Sequence, residues 1–219
     1  MSGGEMRALG RFRKEQAGAV IVEFAICMTL LLTLTLGFVD FGYAWYQWNA
    51  ATKAVEIGAR MASISAPIAP SIAAAGTATT PGDPIPAGNY DYTCNGATSA
   101  CSCIGTGCVA GTFTAANFNR IFRGDATGVG TCPPLTAGQR PGMCHFFPML
   151  QPANVVVRYT ATGLGYLTRP GGPVPTITVS LQNVTFQFFF LGGLLGFGNV
   201  TMPSMLSTVT GEDLKSTYP

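Results

Sequence analysis

The chain has 219 residues, a net charge of +2 and only 10% charged residues, against roughly 25% in a typical soluble domain. Its 28 glycines and 15 prolines predict much turn and loop, while a hydrophobic content of 47% argues against disorder. The nearly balanced charge argues against a nucleic-acid-binding protein, and the single histidine excludes sites built from several histidines. This composition is typical of an exported or membrane-tethered protein rather than a cytosolic enzyme.

The first forty residues predict a membrane span. Ala17 to Val39 form an apolar stretch with one charge, Glu23, and a helix of this length reaches about 34 Å, enough to cross a hydrocarbon core of roughly 30 Å. Basic residues precede the stretch: Arg7, Arg11, Arg13 and Lys14. Aromatic residues cluster at its far end: Phe38, Phe41, Tyr43, Trp45, Tyr46 and Trp48. The positive-inside rule therefore places the N-terminus in the cytoplasm, and the stretch is too long for an ordinary secretory signal.

Glu23 is unusual, because a carboxylate inside a span is costly and commonly functional. The alternative is that it lies near the cytoplasmic interface and reaches water. Small residues stand just before it, and a cut after Gly18 would make Ala19 the new N-terminus and Glu23 its fifth residue. The new amine and the carboxylate of a neighbouring subunit could then pair in a low-dielectric setting.

Two stretches of the chain carry a family resemblance: residues 11–25 (RFRKEQAGAVIVEFA) and residues 49–63, which end in EIGARMAS. Together they resemble the TadE-like minor pseudopilins of the tight-adherence (Flp-type) pilus system, over about residues 11–65. One departure is Thr29, where the family commonly has proline.

The resemblance implies a cut by a prepilin peptidase between Gly18 and Ala19, which leaves residues 1–18 as a cytoplasmic leader. It implies a role in pilus biogenesis and surface adhesion, either in the filament or at its base. The implied partners are the inner membrane, the prepilin peptidase, and other pilus-assembly subunits and pilins.

The helical pattern continues beyond the span to about Ser65, where Pro67 and Pro70 end it. We therefore expect residues 19–66 to form one transmembrane and stalk helix. Small residues along it would allow close contact with other helices or packing on the chain's own sheet: Gly37, Gly42, Ala50, Ala54 and Gly58.

Six cysteines lie within residues 66–150: Cys94, Cys101, Cys103, Cys108, Cys132 and Cys144. In an oxidising compartment this even set predicts three disulfides, and the sequence does not choose among the fifteen connectivities. We expect them to stabilise a loop-rich region that lacks its own core. Their spacings lack the paired C-x2-C motifs of zinc and iron–sulfur sites, so no metal or cofactor is expected. His145 beside Cys144 is expected to be a structural or surface histidine, since a catalytic Cys–His pair normally joins distant parts of the chain.

The C-terminal part predicts an antiparallel sheet. Residues 154–161 form a β-branched strand, and residues 176–188 alternate with a change of phase at Gln182-Asn183 that indicates a bulge or bend. Residues 199–210 could supply a last strand, which Pro203 assigns to an edge. The apolar stretch from Phe186 to Phe197 is too short for a second span. It predicts either a buried loop that caps the sheet or an exposed patch for a partner or the membrane surface.

Together these elements predict an α+β protein. A long N-terminal transmembrane helix continues into a periplasmic stalk that packs on a small antiparallel sheet, and residues 67–219 form an extracytoplasmic Cys-rich loop and β domain. No nucleophile, base and oxyanion donors come together, so we expect no enzymatic activity. We expect an inner-membrane pseudopilin of pilus assembly with its C-terminal domain in the periplasm. The alternatives are an unprocessed, membrane-anchored periplasmic binding or receptor module, and a membrane-tethered hydrolase that depends on His145.

Overall fold

A computed structural model of the protein describes residues 16–76, 80–124, 132–135, 137–167, 169, 173–196 and 200–211. Two compact units are distinguished by their internal contacts. The first contains the described residues up to Trp45 together with the segment that starts at Gln187, and the second contains Tyr46 to Phe186 and the described residues from Val200 onward. The predicted leader, residues 1–18, lies almost entirely outside the described residues.

The longest element is helix α1, Gln16–Ile64, with 49 residues. Its extent confirms the prediction of one uninterrupted helix through the apolar stretch and the stalk. Large apolar side chains from Val20 to Val39 are exposed along its first part. Among the described residues, this is the one helix long and apolar enough to cross a membrane. It therefore fits single-pass membrane anchoring.

The second unit is built on a five-stranded antiparallel sheet in the order β2-β1-β3-β4-β5. Its strands are β1 (Asp91–Asn95), β2 (Ala100–Ile104), β3 (Val155–Thr160), β4 (Thr176–Leu181) and β5 (Leu206–Thr210). The short α-helices among the described residues are α2 (Ala115–Arg123), α3 (Met143–Phe146) and α4 (Phe190–Leu195). Two 3-10 helices cover Pro70–Ala74 and Pro152–Asn154. The predicted α+β class is confirmed.

The core of the second unit joins one face of the sheet to one face of α1. Alternation along β3 and β4 buries every second side chain, as at Val157 and Val179, which is the expected pattern for a sheet with one solvated face. On α1 the buried residues of the same core are mostly alanines: Ala51, Ala54, Val55, Ala59, Met61 and Ala62. Their small side chains let other parts of the unit approach the helix backbone closely.

Tyr159 joins the strand layer to the loop that follows α1. Its side chain is fully buried, and its hydroxyl oxygen accepts a hydrogen bond from the backbone N–H of Ile68 at 3.2 Å. Burial raises the pKa of Tyr159, so the phenol stays protonated over the physiological range. The contact holds the chain in place just after Pro67 ends the helix.

The Cys-rich region has more structure than the sequence predicts. It contributes the β1–β2 hairpin and two helices, and its side chains Tyr92, Ile121 and Met143 belong to the common core. The region thus shares the core of the whole unit instead of forming its own, and its strands and helices go beyond the predicted disulfide-linked loop region. Strands of five residues carry too little alternation to be recognised, and three of the alternating residues are cysteines: Cys94, Cys101 and Cys103.

The change of phase after β4 is a bend, the second of the two predicted alternatives. Strand β4 ends at Leu181, and Asn183 has a φ of 53°, a left-handed conformation that asparagine tolerates better than most residues. Beyond it the predicted strand survives as the isolated bridge between Thr185 and Thr201. Strand β5 begins after Pro203 and lies at an edge of the sheet, as expected.

Candidate functional site in the N-terminal helix

The predicted cleavage and pairing residues lie on one exposed stretch of α1. Gly18, Ala19 and Glu23 are all helical and exposed. Ala19 and Glu23 are four residues apart, so they share a helix face and lie about 6 Å apart along the axis. An N-terminus created at Ala19 would therefore be one helical turn from the Glu23 carboxylate of the same chain.

Gly18 has no packing role in the described structure. A Cβ built at this position meets no other described atom within 4 Å. Glycine inside a helix is less favourable than alanine by about 1 kcal/mol. Nothing in the packing of the described chain offsets that cost, and the same glycine makes local unwinding of the helix easier.

The small residues of α1 divide into two groups. A Cβ at Gly58 would lie 2.6 Å from the Met143 sulfur, and Ala54 is fully buried, so these two serve packing within the chain. Around Gly37 and Gly42 the described atoms leave the helix surface open. In the stalk, the small residues therefore serve packing within the chain. In the first part of α1, Gly37 and Gly42 leave the helix surface free for close contacts with other helices.

Asp40 is the polar centre of the first unit. It is the first residue after the apolar stretch, and its side chain is fully buried. Its carboxylate accepts hydrogen bonds from three consecutive backbone N–H groups, those of Phe189 at 3.0 Å, Phe190 at 2.9 Å and Leu191 at 2.6 Å. The charge is thereby compensated by several donors, as a buried carboxylate requires.

These three N–H groups form the start of helix α4. The first N–H groups of a helix have no partner within the helix, and a carboxylate placed there also interacts favourably with the helix dipole. Helix α4 has six residues, two of them glycines, and no N-cap side chain of its own. Because so short a helix is marginal in isolation, Asp40 supplies a capping interaction that the local sequence lacks.

Aromatic contacts complete the attachment of α4. The rings of Phe41 and Phe188 meet edge to face at 6.4 Å between centroids, and those of Tyr43 and Phe189 are 4.9 Å apart. We call residues 187–196 the clamped segment, since Asp40 and these rings hold it against α1. Gly196, with a φ of 67°, ends the helix in the left-handed conformation that glycine adopts without strain.

The clamped segment corrects one prediction from the sequence. A buried loop capping the sheet was one of the two interpretations of Phe186 to Phe197, and it is wrong because the segment is helical and Phe189 is 61% exposed. Asp40 was not recognised as a functional residue. The available signal was a lone acid directly after the span, but its partners lie about 150 residues further along the chain.

The six cysteines outside α1 are joined in three disulfides: Cys94–Cys101, Cys103–Cys108 and Cys132–Cys144. The first links directly opposed residues of β1 and β2. Cys103–Cys108 links β2 to the segment that follows it, and Cys132–Cys144 links α3 to the segment that precedes it. All three close short loops of the second unit and limit the entropy of its unfolded state.

Cys132, Cys144 and His145 are the described residues whose potential metal-ligand atoms come within 4.8 Å of one another. Both sulfurs belong to one disulfide and so lack the thiolate that binds metal. His145 Nδ1 accepts from the Gly142 N–H at 3.0 Å, which leaves Nε2 to carry the proton and donate to the Pro133 carbonyl at 2.9 Å. These contacts give His145 a structural role.

Comparison with known proteins gives one finding for the N-terminal helix. The family model described as TadE-like protein matches residues 18–60, about a fifth of the chain. The match confirms the predicted resemblance over this stretch, which contains Gly18, Ala19, Glu23 and Asp40. No curated protein and no solved structure matches the chain.

Removing the Asp40 carboxylate should release α4. In Asp40→Ala the amides of Phe189, Phe190 and Leu191 lose their shared acceptor. Hydrogen bonds to a charged group contribute about 1.5–3 kcal/mol each, so hydrogen exchange of these amides should accelerate by at least about tenfold. Exchange mass spectrometry of the detergent-solubilised protein measures the effect, with Asp83→Ala at an exposed loop position as control. Unchanged exchange in Asp40→Ala would show that the carboxylate does not hold the segment.

Proposed function

We propose that the protein is a minor pseudopilin of a tight-adherence pilus, anchored in the inner membrane and acting in pilus biogenesis and surface adhesion. A prepilin peptidase would cut it between Gly18 and Ala19. The main support for this proposal is that two observations meet at Gly18. The TadE-like match begins at Gly18, and Gly18 is an exposed helical glycine that packing within the described chain does not require.

The orientation follows from charge. Four basic residues lie directly before the apolar stretch: Arg7, Arg11, Arg13 and Lys14. A cytoplasmic N-terminus and a periplasmic sheet domain satisfy the positive-inside rule. The three disulfides lie on the periplasmic side in this orientation, where oxidation is favoured. The single free thiol, Cys27, lies in the apolar stretch of α1.

Processing would give Glu23 its role. The cut replaces the basic leader by a positively charged amine at Ala19, and Glu23 follows as the fifth residue. In lipid an unpaired carboxylate is costly, so pairing with an amine stabilises whichever arrangement brings the two together. The amine of the same chain is one turn away, and a neighbouring subunit can supply another. The second arrangement makes pairing depend on assembly, which is the role we propose for Glu23.

The protein acts in this account as a substrate and a structural subunit, without enzymatic activity of its own. Both ring nitrogens of its single histidine are engaged by backbone groups. That arrangement supports a structural histidine over the general base of a hydrolase.

Processing at Gly18 is the first testable consequence. With the prepilin peptidase present, mass spectrometry of the membrane-extracted protein should find an N-terminal peptide that starts at Ala19, and with the peptidase absent it should find the uncut start. Gly18→Val should block the cut because a branched side chain occupies the position before the scissile bond. Gly37→Val is the matched control, since Gly37 is also helical with open space around it, and it should be cut normally. An uncut N-terminus under both conditions would favour the unprocessed binding or receptor module.

The role of Glu23 is tested separately from cleavage. Glu23→Gln keeps the size of the side chain and removes its charge, so the variant should still be inserted and cut but should fail to support piliation. Glu56→Gln, at an exposed acid that pairs with Lys53 on the stalk, should leave piliation unchanged. Electron microscopy of surface pili and co-purification with pilus subunits give the readout. Normal piliation by Glu23→Gln would remove the charge from the mechanism.

A further inference from the structure

The clamped segment, residues 187–196, has a surface that water solvates poorly. It contains no charged residue, and none occurs from Gln187 to Gly211. Phe189 is 61% exposed and Phe190 is 40% exposed, although both belong to the most apolar part of the chain outside α1. Adjacent exposed aromatic side chains in such a segment commonly mark a surface that contacts another apolar phase.

The contact between Asp40 and α4 places the clamped segment next to the end of the apolar stretch of α1. Helix α4 is fixed by its N-terminus to Asp40, one residue after the apolar stretch ends at Val39. Its neighbours Phe41 and Tyr43 belong to the aromatic cluster that follows the stretch. Aromatic residues in this position lie at the boundary between headgroups and acyl chains. The clamped segment therefore lies beside the end of the span, at the depth of that boundary.

The backbone of the segment is adapted to a region with little water. Unpaired N–H groups are costly there, and Asp40 accepts the hydrogens of Phe189, Phe190 and Leu191. The same contacts bury the carboxylate itself. The polar groups at the start of α4 are thus paired internally, while the exposed rings remain available for apolar contact.

We propose that the clamped segment is a second membrane-contacting element, which lies in the interface of the outer leaflet with Phe189 and Phe190 against lipid. Its occupant is the bilayer, because the segment packs through Phe188 on Phe41, an exposed aromatic residue two positions after the apolar stretch of the same unit. The span and the clamped segment then hold the protein at two adjacent points. The inference rests on the membrane anchoring in the proposed function.

Spin labels in the reconstituted full-length protein test this placement. In a Cys27→Ser background, a nitroxide is attached through Phe190→Cys or, at a second position, Phe189→Cys. The matched control is Leu164→Cys, which is apolar and 44% exposed in the second unit. A label on native Cys27, the free and exposed thiol of the apolar stretch, reports on the span. The proteins are placed at low density in vesicles of phosphatidylethanolamine and phosphatidylglycerol, and collisions with oxygen and with a water-soluble nickel chelate are compared.

Oxygen collisions should exceed nickel collisions at positions 27, 189 and 190, and the order should reverse at position 164. A label at 189 and 190 that is as accessible to nickel as position 164, with position 27 in lipid, would overturn the inference and leave the anchoring intact. Low accessibility to both reagents at 189 and 190 would also overturn it, since protein would then cover the segment. A water-accessible position 27 would overturn the anchoring and the inference together.

Discussion

The constraint on which the structure depends is that one helix must satisfy two environments. From Val20 to Val39 most of its large side chains are apolar and exposed, whereas from Ala51 to Ala62 one face is buried among other parts of the chain. The composition of α1 changes accordingly, from bulky residues to alanine and glycine. Asp40 lies where the first pattern ends, between the exposed apolar stretch and the aromatic residues that follow it.

The Asp40 carboxylate can be buried at this position because hydrogen-bond donors compensate its charge. Three backbone N–H groups bind Asp40, and without them the charge would be costly to bury. Reciprocally, a six-residue helix with two glycines has little stability of its own. Asp40 and α4 therefore stabilise each other, and neither arrangement is favourable alone. This mutual dependence explains how an apolar segment from the C-terminal part of the chain becomes part of the N-terminal unit.

The sequence predicts those features that a local pattern encodes. The apolar length of α1, the β-branched residues of β3 and the alternation in β4 each mark their own element, and Pro203 correctly assigns β5 to an edge. Asp40 and α4 could not be paired in this way, because 149 residues separate Asp40 from Phe189. The β1–β2 hairpin was missed because its strands are short, and cysteine spacing alone cannot select among the disulfide connectivities. Gly18 and Glu23 can be identified from the sequence because their predicted roles depend on their spacing along the chain, which makes Glu23 the fifth residue after a cut at Gly18.

In the function that we propose, α1 crosses the inner membrane and leaves the sheet domain on the periplasmic side. The most direct test is the labelling of Leu164→Cys in a Cys27→Ser background by a membrane-impermeant maleimide, in right-side-out vesicles before and after permeabilisation. The account predicts full labelling before permeabilisation, because position 164 is exposed in the second unit and that unit would face the reagent. Labelling that appears only after permeabilisation would place the sheet domain in the cytoplasm and contradict the account.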